Sequence, residues 1–440
     1  MTAARRPEGS ARRPSRRAVS TLASALAVFG PLTAAAQVPI PAPPQSGPIA
    51  LRGATIHTVA NGVIENGTIV FDGGVIVALG TDVQIPAGAR TVDVSGKHIY
   101  PGLIDAYSTV GISEIGDVGV TNDVRELGDF NPNARPDIAV NPESRHIGTS
   151  RSNGVLVTLT TPSGGLFPGL SSAMNLDGWT WEQMTLASAA ALNINWPNPS
   201  DADEYDEALR QIREYFAEAR AYRDVRAGGG LVPSDARFDA MIPALDGEMP
   251  VVVAADRVPQ IQDAIRWAED EGVRLVIRGG ADAVHVADHL AEKQIPVILT
   301  ATMAAPGRSW EPYDAAYARA AQLHARGVQI AISGGSSAAY TNRLPYEAGV
   351  AVAFGLPEEE ALAAVTLNPA RFMGIADRVG SLEPGKDATL LITTGNPLDY
   401  LSDIEQAYIQ GRELDMRDIH RFFFEKYMEK LRQMRPTISE

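Results

Sequence analysis

The sequence of 440 residues contains no cysteine. Disulfides, thiolate metal ligands and a cysteine nucleophile are all excluded at once. Histidine is scarce, seven in all, so an imidazole-based site has few positions to draw on. Basic residues number 38 against 53 acidic, for a formal charge of −15. Nucleic acid is therefore not an expected partner, because phosphate binding needs a basic face. No GxGxxG opens a helix and no GxSxG elbow occurs. The Gly-rich stretch Thr161–Gly169 lacks the Gly-Lys-Ser/Thr ending of a phosphate loop.

What is present begins with a leader. Arg5, Arg6, Arg12, Arg13, Arg16 and Arg17 precede an apolar segment, Ala18 to Ala34, and the small run Ala34 to Ala36. That order is the pattern of a cleavable secretory signal over 1–36. Gly30 and Pro31 interrupt the segment too early for a membrane span. The expected location is periplasmic or secreted, by the general secretory route, with no span in the mature chain. Removing six Arg and one Glu takes +5 from −15 and leaves about −20. Residues 37–48 read as a Pro-rich extended linker.

From residue 49 to 100 the pattern is β. Thr68–Phe71 and Val75–Leu79 flank Asp72-Gly73-Gly74, a tight hairpin turn. Short strands recur at 379–413, which predicts one composite β-sandwich built from both chain ends. Between them, residues 101–378 alternate apolar strand-length runs with helical patterns, as at Val251–Ala255 followed by Pro259–Asp270. Strands apolar on both faces with returning helices argue for a parallel sheet, and the span suits a (β/α)8 TIM-type barrel. Residues 179–236 read as an insertion carrying Trp179, Trp181, Trp196 and a charged helix, either a lid, a subunit contact or a solvated surface helix. Residues 414–440 read as a C-terminal helix.

Several segments resemble the amidohydrolase superfamily, in particular its imidazolonepropionase-like and prolidase-like members. They are Tyr100-Pro-Gly-Leu-Ile-Asp-Ala106, Tyr346-Glu-Ala-Gly-Val350, Val365-Thr-Leu-Asn-Pro-Ala-Arg371 and Arg378-Val-Gly-Ser-Leu-Glu-Pro-Gly-Lys-Asp-Ala388. The resemblance implies the same barrel and composite sandwich. It also implies a metal centre at the C-terminal ends of barrel strands, starting with His-any-His on the first. Here those positions are Tyr107 and Thr109. By the resemblance, Ala254 stands for the fifth-strand ligand, Gly279 for the sixth-strand His and Gly335 for the eighth-strand Asp; the fourth-strand residue is not placed.

Zn²⁺ needs three or four N, O or S donors at about 2.0–2.3 Å, and this set does not supply them. The expectation is therefore no metal and no cofactor. His285 and His289 share the spacing of a helical pair but fall on the helix after the sixth strand, and the other five His are scattered. Ser108, Ser333, Ser336 and Ser337 lie near strand ends without a companion His. Three charged or phenolic side chains stay as weak catalytic candidates, Tyr107, Asp256 and Arg278. Arg278 either faces the barrel mouth with Asp256 as its partner or, being next to Gly279, points toward the helices.

The favoured expectation is an exported, non-catalytic relative that partners an intact amidohydrolase in a hetero-oligomer, or a homo-oligomer. A hydrolase of amide, cyclic-amide or dipeptide bonds acting through unconventional residues is the second reading. A binder of a small acidic ligand is the third.

Overall fold

A computed structural model describes residues 40–335 and 337–434. The expected leader, the first residues of the linker, Ser336 and the end of the C-terminal helix lie outside the described residues.

Both chain ends build a single eight-stranded sheet. The N-terminal part supplies β1 (Ile49–His57), β2 (Val63–Asp72), β3 (Val75–Gly80), β4 (Arg90–Asp93) and β5 (His98–Pro101). The barrel follows with eight strands. They are β6 (Leu103–Ser108), β7 (Val155–Thr160), β8 (Gly169–Asn175), β9 (Thr185–Asn195), β10 (Val251–Ala255), β11 (Leu275–Gly279), β12 (Val297–Leu299) and β13 (Ile330–Ile332). The chain then returns to the first sheet through β14 (Leu390–Thr393), β15 (Ile404–Ile409) and β16 (Arg412–Glu413).

The two halves of the first sheet meet where β5 and β14 pair antiparallel, with Tyr100 opposite Leu391. Gly73 and Gly74 both take positive φ, +57° and +88°, as the hairpin between β2 and β3 requires. The Val379–Ala388 motif runs alongside that hairpin. Ile76 N–H donates to the Lys386 carbonyl and Gly385 N–H returns a bond to Ile76, each at 2.8 Å. Gly380, at φ +95°, sits where a Cβ would approach Ala370 to 2.8 Å. The motif is a turn that docks one end of the chain on the other.

In the barrel the strands lie in sequence order, β6 to β13. All adjacent pairs are parallel except the two made by β8, which runs antiparallel to β7 and β9. The barrel is nearly closed, and side chains complete the seam between β13 and β6. Ser333 Oγ donates to the Tyr107 carbonyl at 2.7 Å, and Gly334 N–H donates to Asp105 Oδ1 at 3.3 Å. Small and branched residues fill the interior, among them Ile104, Ala106, Val157, Val252, Val276 and Ile298.

Around the barrel run α1 (Arg145–Ser152), α2 (Trp181–Met184), α3 (Ala202–Ala227), α4 (Ala236–Leu245) and α5 (Val258–Glu271). They continue with α6 (Ala287–Glu292), α7 (Ala315–Ala325), α8 (Leu344–Ala353), α9 (Glu358–Ala364), α10 (Leu367–Phe372) and the terminal α11 (Ile419–Met434). The segment expected as an insertion is largely part of this frame. β9 is a barrel strand, and α3 buries Tyr205, Ile212, Tyr215, Phe216 and Tyr222. Phe216 meets Trp267 edge-on at 4.9 Å, so one face of α3 packs into the core while the other stays in solvent.

The stretch before β1 is tied down as well. Ala42 is buried, and its N–H donates to Asp177 Oδ2 at 3.1 Å. Asp177 also takes Arg151 Nη1 at 2.7 Å and Arg412 Nη1 at 2.8 Å, a buried junction between the barrel and the sheet. Among the described residues, no helix is long and apolar enough to cross a membrane.

Candidate functional site

Parallel pairing fixes which side chains share a face. Ala254 on β10 is level with Arg278 on β11 and Asn195 on β9, and Arg278 is level with Ile298, a residue of the barrel interior. Arg278 and Asn195 therefore point inward at the C-terminal mouth, where active sites of this architecture form. The guanidinium carbon of Arg278 lies 4.0 Å from the centre of the Tyr107 ring, on the far side of the mouth. Its Nη2 donates to Asn195 Oδ1 at 3.1 Å, while Nε is buried without a partner. Asn195 Nδ2 donates in turn to the Gly165 carbonyl at 2.9 Å.

This geometry changes two sequence expectations. Gly279 was placed in the sixth-strand ligand position, yet a Cβ there would lie 2.5 Å from Asp256 Oδ1, away from the axis. Arg278 is the residue that reaches the axis. Nor is Asp256 its partner: Asp256 is exposed, and its carboxylate accepts from Ala281 N–H at 3.2 Å. Among the described residues, no ion pair joins Asp256 to Arg278.

Tyr107 is buried, as expected of a residue at the mouth, and carries the stack. Thr109 Oγ1 accepts from Ala338 N–H at 3.1 Å, so it holds the turn after β13. Gly335 has φ +110°, with the Thr300 carbonyl at 3.5 Å from a Cβ placed there. His285 is exposed in a 3-10 turn, and His289 lies on α6. Ser108 bonds Thr341 Oγ1 at 2.7 Å, and Ser333 closes the barrel.

Sequence reasoning missed Asn195. The alternation Leu192-Asn193-Ile194-Asn195 places both amides on one face of a strand and was the available signal. It also passed over Asp105, which is fully buried at the barrel seam; burial pushes its carboxyl up to about 7.

A metal centre is what the fold family implies at this mouth, and the residues present do not fit one. A guanidinium cannot be deprotonated to ligate, and its fixed charge repels a cation. Tyr107, Thr109, Ala254 and Gly335 around it add no imidazole or carboxylate. Among the described residues, no group of three or more His, Asp or Glu gathers in a metal-holding arrangement. The arrangement offers a positive, planar donor fork over an aromatic ring, suited to an anionic or planar group.

Comparison with known proteins agrees with the architecture. A model of the amidohydrolase family matches residues 260–417. The imidazolonepropionase of Geobacillus kaustophilus is 27% identical over 386 residues, covering 75% of this chain and 84% of that one. That of Rhodococcus jostii is 23% identical, covering 83% and 90%. The crystal structure of an amidohydrolase from Thermotoga maritima superposes with a TM-score of 0.76 at 27% identity, covering 84% of this chain and all of that one. In the barrel, the composite sheet and these sequence matches together, the chain is similar to members of the amidohydrolase superfamily.

Proposed function

We infer that this protein is an exported member of its family that does not run metal-dependent hydrolysis and serves as a non-catalytic partner of an intact amidohydrolase. The observation that carries the reading is the Arg278 guanidinium stacked on Tyr107 and bonded to Asn195. A fixed positive charge at the mouth supports a site that does not hold a cation. The retained docking turn at Val379–Ala388 supports continued demand on folding rather than on chemistry. An exposed apolar face on α11, with Phe424 and Leu431 more than half exposed, supports assembly with a partner.

Elemental analysis of the purified protein, with an amidase and dipeptidase panel, tests this. The expected result is far less than one equivalent of zinc, manganese or iron and no turnover. Stoichiometric metal with hydrolysis overturns it. Amidohydrolase names among the relatives favour a second reading, hydrolysis of a C–N bond without metal. That reading requires turnover that survives chelators and falls in Tyr107→Phe.

A further inference from the structure

A cleft of about 520 Å³ opens at the rim of the mouth, between the loops that follow β10, β11 and β12 and the start of α7. Its volume lies within the roughly 300–1,000 Å³ of small-molecule sites. Two opposite charges line it without forming an ion pair. The Asp256 carboxylate has one hydrogen bond among the described residues, from Ala281 N–H. The guanidinium of Arg319, on α7 and only partly exposed, has no hydrogen bond or ion pair among the described residues. Burial draws its guanidinium below the ordinary value, and Asp256, Glu311 and Asp282 draw it back up. A guanidinium withdrawn from water without a hydrogen-bonded partner costs stability that a bound anion restores.

Most other polar groups of the cleft are already engaged, while Arg257 stands exposed at its rim. Arg308 grips Asp282 with two bonds, at 2.7 and 2.8 Å, and reaches Glu311 at 3.1 Å. Gln260 Oε1 accepts from the N–H groups of Asp256 and Arg257, and its Nε2 donates to the Pro197 carbonyl. Ala301, Ala304, Ala305 and Ala316 give the remaining wall a small, apolar surface. The solvated Arg257 needs no partner, so the withdrawn guanidinium of Arg319 and the carboxylate of Asp256 are the charges that a ligand in the cleft would satisfy. A simple anion would satisfy Arg319 and face Asp256, whereas a simple cation would do the reverse. A molecule carrying both charges satisfies both.

We propose that this cleft binds a small zwitterion of the amino-acid class, its carboxylate on Arg319 and its ammonium on Asp256. The axial cluster of Arg278, Asn195 and Tyr107 does not line the cleft, so the inference stands apart from the reading of the mouth.

The test is a thermal-shift screen of the standard amino acids on the full mature protein, followed by calorimetric titration. L-Leucine is compared with 4-methylpentanoate, which lacks the ammonium, with isopentylamine, which lacks the carboxylate, and with inorganic phosphate. An amino acid that binds at least about tenfold tighter than its one-charge analogues is the expected result. Arg319→Gln should weaken it about tenfold or more with an unchanged circular dichroism spectrum, and Arg319→Lys should recover part. Asp256→Asn should erase the preference for the zwitterion over its acid, and Arg278→Met should leave affinity unchanged. The proposal falls if no amino acid binds at about 10 mM, if phosphate binds more tightly, or if Arg278→Met abolishes binding while Arg319→Gln does not.

Discussion

The Arg278 guanidinium covers the ring of Tyr107 at 4.0 Å, linking the sixth barrel strand to the first across the mouth. Such contacts contribute about 0.5–2 kcal/mol, more where water is excluded. In a double-mutant cycle with Arg278→Met and Tyr107→Leu, chemical denaturation should give a coupling of about 1 kcal/mol. Strict additivity of the two variants would show that the stack does not contribute.

Asp177 is shared by Arg151 and Arg412 in the buried junction. Burial pushes its carboxyl up and pulls the Arg151 guanidinium down, each resisted by the other's charge. Asp177→Ala strands the buried Arg151 guanidinium, the half-buried one of Arg412 and the Ala42 N–H, so a loss of about 3–5 kcal/mol is expected in urea melts. A loss below about 1 kcal/mol would mean that water reaches the junction.

The buried Asp105 and the half-buried His57 give opposite pH slopes. Asp105 ionises near 3.8 when unfolded and at about 7 when folded, because of burial. Between those values the native state keeps a proton that the unfolded chain has released. Its contribution is therefore full below 3.8 and is lost as pH rises to 7. His57 is lowered from 6.5 to about 4 by burial first and by the neighbouring His98, against the pull of Glu65. Its contribution is full above 6.5 and is lost as pH falls toward 4. Relative to the parent, Asp105→Asn should gain stability as pH rises from about 4 to 7. The His57→Phe difference should instead grow as pH falls below about 6.5. Parallel curves for either variant would refute its assignment.

Glu347 on α8 fastens the loop after β12. Its Oε2 accepts Thr302 N–H at 2.8 Å, Thr302 Oγ1 at 2.6 Å and Met303 N–H at 2.7 Å. Glu347→Ala leaves buried donors unpaired, at a cost of about 2–4 kcal/mol. Hydrogen exchange at residues 302–311 should speed up before the barrel strands respond. Unchanged protection there would show that the loop is held by Arg308 and Asp282 alone.

Much of the architecture was legible in residue pattern. Val251–Ala255 and Leu275–Ile277 read as buried strands because they are apolar on both faces, and the Gly73-Gly74 turn demanded positive φ. β8 and β9 were not read. Their Ala- and Ser-rich runs, such as Leu186–Ala191, have little intrinsic strand preference, and it is tertiary pairing with β7 and β10 that holds them. Missing β9 turned α3 into an apparent insertion. At the mouth, motif alignment alone put residue 279 on the axis. Register with Ala254 and Ile298 selects residue 278 instead, because one step along a strand reverses the face.

The crowding at Gly279 has an evolutionary corollary. A side chain there would collide with Asp256 before it could reach the barrel axis. An imidazole introduced on the sixth strand to face the axis would therefore enter at codon 278 and evict the arginine, and a cation site would need Tyr107, Thr109 or Ala254 to change with it. A change at residue 278 or 107 alone would lose the stack without yet assembling a cation site, so the first step toward a metal centre would cost stability before it gave any binding.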